Sequence, residues 1–91
     1  MNVTVSVPAV LRRYCEGKST LHVGASTVRA ALADVRRSEP SLYVCICDET
    51  GAVRRHVNVF VNSAHMRDRE GLDTPLAPGD VITLLPAVSG G

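Results

Sequence analysis

Aromatic residues are scarce in this chain of 91 residues, which has no Trp, two Tyr and one Phe. Proteins that bind single-stranded nucleic acid stack bases on aromatic side chains, so this composition argues against that class. An excess of positive charge is also missing, because ten Lys and Arg residues face nine Asp and Glu residues. A dedicated binder of nucleic acid or of a membrane surface carries such an excess. We therefore predict that neither is a partner.

Long apolar runs are absent, whereas a membrane-spanning helix needs about 20 consecutive apolar residues. At the start of the sequence no basic segment precedes an unbroken apolar stretch, so no signal peptide is predicted. The chain has three cysteines, which is an odd number, and no predicted export signal. Both observations favour a reduced, cytoplasmic protein. A length of 91 residues allows one domain with one modest core.

Motifs for catalysis or metal binding are missing as well. His22, His56 and His65 do not share the i, i+4 spacing of one helix face, and Cys45-x-Cys47 lacks the spacing of a zinc knuckle. No phosphate-binding loop, nucleophile elbow or His-Glu-x-x-His motif occurs. Three basic pairs are interpreted as solvated surface: Arg12-Arg13, Arg36-Arg37 and Arg54-Arg55. We predict no catalytic residue, no metal site and no cofactor, and hence a protein that is not an enzyme.

Alternating apolar residues, in contrast, are plentiful and predict strands. Val3, Val5 and Val7 share one face of the first strand, which Pro8 ends. The pattern predicts further strands over residues 19–23, 55–62 and 81–85, and a brief edge strand over 66–69. Their inward side chains are predicted to be Leu21, Val23, Val57, Val59, Val61, Ile82 and Leu84.

One helix is predicted between the second and third strands. Its apolar stripe follows the i, i+3, i+4, i+7 spacing and consists of Val28, Ala31, Leu32 and Val35. Ser26 is the expected N-cap, and Pro40 is expected to lie beyond the helix end. Residues 9–18 are interpreted as a connection, and residues 41–50 as a loop with at most a short strand.

The order β-β-α-β-(β)-β predicts an α+β fold, in which one main helix covers one face of a mixed sheet of four or five strands. This order resembles the β-grasp, or ubiquitin-like, fold, which implies that the first and last strands pair in parallel at the centre. We predict a β-grasp domain over residues 1–86 and a flexible C-terminal tail over residues 87–91.

The last residues, Ala87-Val88-Ser89-Gly90-Gly91, follow a proline that stops the sheet. Five extended residues reach at most about 17 Å. Gly90 and Gly91 have no Cβ, so they fit a narrow channel. The group presented at the end would be an ionised carboxylate.

A terminal carboxylate of this kind suits one chemistry. Its oxygen can attack the α-phosphate of ATP and form an acyl-adenylate, from which a sulfur nucleophile displaces AMP. The product is a thiocarboxylate on Gly91, which is itself a soft nucleophile. In this scheme the domain supplies recognition and reach rather than a catalytic side chain.

The end of the sequence resembles a known family. The pattern is Gly-Asp, an apolar strand, Pro, a small residue, Val, a small residue and Gly-Gly, and it runs here from Gly79 to Gly91. It is similar to the sulfur-carrier family that includes the molybdopterin-synthase small subunit and the thiamine thiazole carrier. Residues 57–62 resemble the third strand of that family. The opening residues 1–8 and the segment 85–88 resemble most the carrier of cysteine biosynthesis.

The resemblance implies that Gly91 is the adenylation and thiocarboxylate site. It also implies partners: an E1-like adenylating enzyme that uses ATP and Mg²⁺, and a sulfur donor such as sulfide, a rhodanese or a cysteine desulfurase. In the cysteine branch, the acceptor is a pyridoxal-phosphate-dependent cysteine synthase, and a metalloprotease releases the product.

Two apolar side chains, Phe60 and Leu85, are predicted to point away from the helix. Together with Pro86 they form a candidate docking patch beside the tail residues Val88, Ser89 and Gly90. The same positions also fit ordinary packing at a sheet edge.

Three other functions fit the same residues. A ubiquitin-like modifier would use the adenylated tail to acylate lysines, and a small subunit of molybdopterin synthase would keep its tail inserted in a partner. An interaction domain could also end in Gly-Gly incidentally. The sequence does not name the sulfur acceptor or the sulfur source, and it gives no redox role to Cys15, Cys45 or Cys47.

Overall fold

The computed structural model describes residues 2–86, which form one mixed sheet of five strands with two α-helices. The strands are β1 (Asn2–Ser6), β2 (Thr20–Gly24), β3 (Val57–Val61), β4 (Ala64–His65) and β5 (Val81–Pro86). The α-helices are α1 (Val28–Ser38) and α2 (Pro40–Ile46), and three 3₁₀ helices span Ala9–Cys15, Met66–Asp68 and Gly71–Asp73. The strand order is β2-β1-β5-β3-β4.

The centre of the sheet is β5. It pairs in parallel with β1, with Val5 opposite Ile82, and antiparallel with β3, with Val59 opposite Leu84. β1 also pairs antiparallel with β2. The parallel central pair confirms the predicted β-grasp order, and the apolar sets predicted for the four strands other than the edge strand are buried on one side.

α1 packs against that side of the sheet. Its four predicted stripe residues are at most 3% exposed, so the interpretation of the helix is confirmed. The predicted N-cap was wrong by one position, because the N-cap is Thr27 and not Ser26. Oγ1 of Thr27 accepts the hydrogen bond from the backbone N–H of Ala30 at 3.1 Å.

Residues 40–46 form α2, so the prediction of a loop over residues 41–50 was wrong for residues 41–46. Pro40 lies beyond the end of α1 at Ser38, as predicted, but it also occupies the first turn of a new helix, where its missing N–H leaves no bond unmade. Leu42 and Ile46, four residues apart, are fully buried, so they form the inner face of this short helix.

Two other segments differ from the sequence prediction. Residues 9–15, expected to be a plain connection, form a 3₁₀ helix (the first 3₁₀ helix), whose Leu11 and Cys15 are buried four residues apart. The edge strand lies at Ala64–His65 rather than at residues 66–69, which begin a second 3₁₀ helix instead. β3 is also shorter than predicted and starts at Val57.

Two buried polar side chains are paired. The Thr74 hydroxyl donates to the Gly71 carbonyl at 2.7 Å and accepts from the Glu70 N–H at 3.1 Å. Oε2 of the largely buried Glu39 lies 2.8 Å from Nζ of Lys18 and ties the β1–β2 connection to the helices. Across residues 2–86, no buried side-chain nitrogen or oxygen is left without a partner. The same residues contain no helix long and apolar enough to cross a membrane.

Candidate functional site

The sheet has one face that the α-helices do not cover. We call it the open face and define it by four outward side chains of β3 and β5: Asn58, Phe60, Thr83 and Leu85. Their burial alternates with that of the core residues, because successive side chains of a strand point to opposite sides. The open face therefore presents β3 and β5 side by side, and β5 leads directly into residues 87–91.

Phe60 and Leu85 lie close together on the open face. In the β3–β5 register, Phe60 is opposite Thr83 and Asn58 is opposite Leu85, so the two apolar residues are diagonal neighbours. Leu85 is 44% exposed, whereas Phe60 is half-buried. The structure thus places both residues away from the helices, and their role in docking stays a prediction.

The partial cover of Phe60 comes from His65 on the neighbouring strand β4. The two rings meet edge to face, with centroids 5.0 Å apart. Nδ1 of His65 accepts from the Arg67 N–H at 2.9 Å, and Nε2 lies 3.1 Å from Oδ1 of Asn58. These contacts fit the tautomer that carries its proton on Nε2. The phenylalanine is thus held in a fixed position, which favours a preformed contact surface.

Pro86 does not join this patch. It is opposite Val57 in the register, so it has the parity of the core residues Ile82 and Leu84. The structure therefore divides the predicted docking trio, with Phe60 and Leu85 on the open face and Pro86 on the opposite side.

Pro86 instead lines a groove of about 490 Å³. We call it the tail-root groove, because β5 ends in it. Its walls are the first 3₁₀ helix, the end of α2 and the segment before β3. The residues used below are Val10, Arg13, Tyr14, Arg54, His56 and Pro86.

The groove forms at this end of the sheet for a topological reason. β1 and β5 are parallel, so both end at the same edge, and β3, antiparallel to β5, starts there. The chain that leaves β1 enters the first 3₁₀ helix, and the chain that enters β3 brings Arg54 and His56. Both segments consequently surround the point where β5 ends.

Sequence reasoning missed this groove. The first 3₁₀ helix was interpreted as a connection, although Pro8 followed by apolar residues at positions 11 and 15 was an available signal. The basic pairs were interpreted as solvated, yet at least one member of each pair contacts the fold. Nε of Arg12 donates to the Val7 carbonyl at 3.0 Å, Nε of Arg54 donates to the Val44 carbonyl at 2.8 Å, and Arg36 lies over the Tyr43 ring.

The remaining predicted site residues, Val88, Ser89, Gly90 and Gly91, lie outside the described residues. The same holds for the predicted tail over residues 87–91. The site is therefore known from the side of the folded domain, as an open face and a groove that meet at the end of β5.

The thiols have no arrangement that favours nucleophilic chemistry. Burial raises the pKa of Cys15, Cys45 and Cys47, so each thiol stays protonated near neutral pH. Among residues 2–86, no three His, Cys, Asp or Glu side chains are grouped to hold a metal ion.

Comparison with known proteins identifies the family. The sequence profile of the ThiS family matches residues 5–91. The chain belongs to the ThiS family. It is 37% identical over 93 residues to the sulfur carrier protein CysO of Mycobacterium tuberculosis, and the match covers 100% of both chains.

Solved structures agree with this assignment. A chain in the crystal structure of the Amycolatopsis orientalis BexX/CysO complex superimposes with a TM-score of 0.89 and 34% identity, covering 98% of this chain and 99% of that one. SAMP1 from Haloferax volcanii superimposes with a TM-score of 0.85 and 28% identity, covering 100% of both chains. The predicted β-grasp fold and the predicted sulfur-carrier function are confirmed at the level of the family.

Proposed function

We propose that this ThiS-family chain carries sulfur as a thiocarboxylate on Gly91. The observation that supports this most is the family match, which extends through Gly90-Gly91 to residue 91. A carboxylate is a poor electrophile, because a nucleophile would have to expel oxide. Attack of its oxygen on the α-phosphorus of ATP releases pyrophosphate and forms an acyl-adenylate. A sulfur nucleophile then displaces AMP and leaves the thiocarboxylate.

In this proposal the described domain is recognised by the partner enzyme and supplies no catalytic group. Its thiols are held protonated by burial, which leaves them poor competitors for the activated acyl group. β5, from which residues 87–91 continue, is hydrogen-bonded on both sides, so the point of departure is fixed. ATP and Mg²⁺ belong to the partner in this proposal, an E1-like adenylating enzyme.

The open face is proposed to dock that enzyme through Phe60 and Leu85. These side chains are neighbours and leave apolar surface exposed beside the end of β5. Apolar anchors surrounded by polar groups are the usual energetic centre of an interface. Docking there would direct residues 87–91 into the adenylation site.

The sulfur acceptor is proposed to belong to cysteine biosynthesis. The likeness to the sulfur carrier CysO supports this branch. The acceptor would be a pyridoxal-phosphate-dependent cysteine synthase in the cytoplasm, with sulfide, a rhodanese or a cysteine desulfurase as the source of sulfur. A metalloprotease would then release cysteine from the carrier.

Intact-mass measurement tests the central step. The chain is incubated with the E1-like enzyme of the same organism, ATP, Mg²⁺ and sulfide, and the expected product has gained the mass of one oxygen-for-sulfur exchange at Gly91. A chain extended by one Ala beyond Gly91 is the matched control and should not change mass. Sulfur gain by a chain without Gly90-Gly91 would refute the proposal.

A role as a protein modifier is the second candidate, because SAMP1 of H. volcanii is also structurally similar. That role needs acyl transfer from the same adenylate to lysine amines of other proteins. Purification under denaturing conditions distinguishes the two functions, since a modifier yields isopeptide-linked conjugates and a carrier yields the free thiocarboxylate.

A further inference from the structure

The tail-root groove is positively charged. Arg13, Arg54 and His56 line it, and no Asp or Glu does. Within residues 2–86, no carboxylate forms an ion pair with either arginine. The nearly balanced charge of the whole chain therefore conceals a local basic site at the end of β5.

Arg54 is held in place by the fold. Its backbone N–H donates to the Ile46 carbonyl at 2.9 Å, and its Nε donates to the Val44 carbonyl at 2.8 Å. These two bonds fix the stem and one edge of the guanidinium and leave its terminal nitrogens to interact elsewhere. The guanidinium is thus positioned before any ligand arrives.

The carboxylate of Asp48, which interacts electrostatically with Arg54, is already engaged. Oδ1 of Asp48 accepts hydrogen bonds from the side chain and backbone of Thr50 and from the backbone of Ala52. These bonds, with a smaller contribution from Arg54, lower the pKa of Asp48. Asp48 is therefore part of the turn before β3 and does not serve as the counter-ion that the groove lacks.

The groove also exposes apolar surface. Val10 is 64% exposed and Tyr14 is 40% exposed, and both stand on the first 3₁₀ helix beside Pro86. A site for free phosphate or for nucleic acid would need little apolar wall. Two arginines next to aliphatic and aromatic side chains fit a peptide segment that carries both carboxylates and apolar groups.

We infer that the tail-root groove binds an acidic segment of the adenylating enzyme, an inference that rests on the proposed function. Charge complementarity selects the occupant, because the groove supplies cations and lacks anions. The position of the groove gives the reason for binding there, because Gly91 is only the fifth residue after Pro86, at most about 17 Å of chain away. An enzyme that holds the point where β5 ends limits where Gly91 can reach.

Charge reversal at Arg13 tests the inference. Arg13 is exposed and its side chain forms no hydrogen bond or ion pair within residues 2–86, so Arg13→Glu should fold normally. We expect the Kd between the full chain and the adenylating enzyme, measured by calorimetry without ATP, to rise about tenfold or more at low salt. Raising the salt concentration should reduce the difference in Kd between the Arg13→Glu variant and the natural chain.

Arg69→Glu is the matched control, with the same change of charge. Arg69 is exposed, and its charge acts on Asp80 just before the start of β5, which is the end of the strand opposite the groove. Its effect on Kd should stay within about twofold, as expected for a rim charge outside the contact. Equal effects of the two variants, or no effect of Arg13→Glu, would overturn the inference.

Other occupants give different results. If the groove held residues 87–91 of this chain, deleting them would shift the amide resonances of Arg13 and His56 without any enzyme present. If it held a second copy, Arg13→Glu would dissociate a dimer in sedimentation. Either result would overturn the inference, as would a wild-type chain that does not bind the enzyme.

Binding and chemistry are measured separately, so the two proposals can fail separately. A groove-dependent Kd without oxygen-for-sulfur exchange at Gly91 would support the docking site and contradict the thiocarboxylate. Normal exchange together with a Kd insensitive to Arg13→Glu would leave the carrier function standing and refute the groove.

Discussion

At the residue scale, Asp80 connects three parts of the chain beside the start of β5. Its Oδ2 accepts from the Ala77 N–H at 2.8 Å, and its Oδ1 accepts from Nδ2 of Asn62 at 3.2 Å. Asn62 in turn accepts the Val81 N–H through Oδ1 at 3.0 Å. Asn62 has a positive φ of 54°, which asparagine tolerates better than most residues. This network holds the turn that leads into the central strand.

Asp80 gives a prediction about pH. The hydrogen bond from Ala77, followed by that from Asn62, lowers the pKa of Asp80 in the folded chain. Protonation is therefore easier in the unfolded chain, so the stabilisation is present above the ordinary aspartate pKa of about 3.9 and is lost as the pH falls through the folded value. Asp80→Asn should flatten the dependence of the urea midpoint on pH below about 4.

Asp68→Asn serves as the comparison, because Asp68 is exposed and its side chain forms no hydrogen bond or ion pair among the described residues. Its urea midpoint should follow the pH dependence of the natural chain. If Asp80→Asn were equally indistinguishable from the natural chain, the role given to this network would be wrong.

At the scale of elements, the sequence predicted those whose pattern is long enough to show a period. β1, β3, β5 and α1 each repeat an apolar position at least twice, and their inward residues were predicted correctly. α2 and the first 3₁₀ helix span seven residues each, so each shows only one i, i+4 pair. A proline before or within such a short segment is compatible both with the end of one element and with the first turn of a new helix. Tertiary contacts decide between the two.

Substitutions in α2 check this part of the fold. Leu42 is fully buried, so Leu42→Ala should lower the free energy of unfolding by about 2–4 kcal/mol, the usual cost of a lost side chain and the resulting cavity. Val44, two positions later, is 60% exposed, and Val44→Ala should change it by less than about 0.5 kcal/mol. Urea unfolding measures both. Similar losses of unfolding free energy in the two variants would indicate that residues 41–46 form a loop.

At the scale of the whole molecule, some features of the candidate site could be predicted from the sequence and others could not. The outward direction of Phe60 and Leu85 follows from alternation alone. The contact of Phe60 with His65 depends on a two-residue strand that no pattern marks. The tail-root groove depends on the parallel pairing of β1 and β5, because only that topology brings residues 10–14, 54–57 and 86 together. Non-local pairing of this kind cannot be read from local periodicity.

Phe60→Ala tests the open face as a docking surface. Loss of this side chain should raise the carrier concentration needed for half-maximal adenylation by about tenfold, while the maximal rate stays unchanged. His22→Ala is the control, since His22 is exposed on the distant strand β2. Pyrophosphate exchange measures the reaction, and circular dichroism verifies that both variants fold. If Phe60→Ala left the carrier concentration for half-maximal adenylation unchanged, Phe60 would not be part of the interface.

The ion pair between Lys18 and Glu39 has a consequence for a chain activated as a mixed anhydride. Lys18 is the only lysine in the sequence. Its hydrogen bond and ion pair with Glu39 raise its pKa, so its nitrogen remains an ammonium group without a lone pair for attack. With the enzyme and ATP but no sulfide, Glu39→Gln should therefore increase Lys18-linked dimers, and a further Lys18→Arg change should abolish them. Dimer yields that do not respond to Glu39→Gln would contradict this role.

The ion pair that ties the β1–β2 connection to the helices is thus also expected to limit reaction between two copies of the chain. Lys18 carries the one lysine amine of the sequence, so keeping it protonated would leave the acyl-adenylate to the sulfur nucleophile instead of to another carrier molecule.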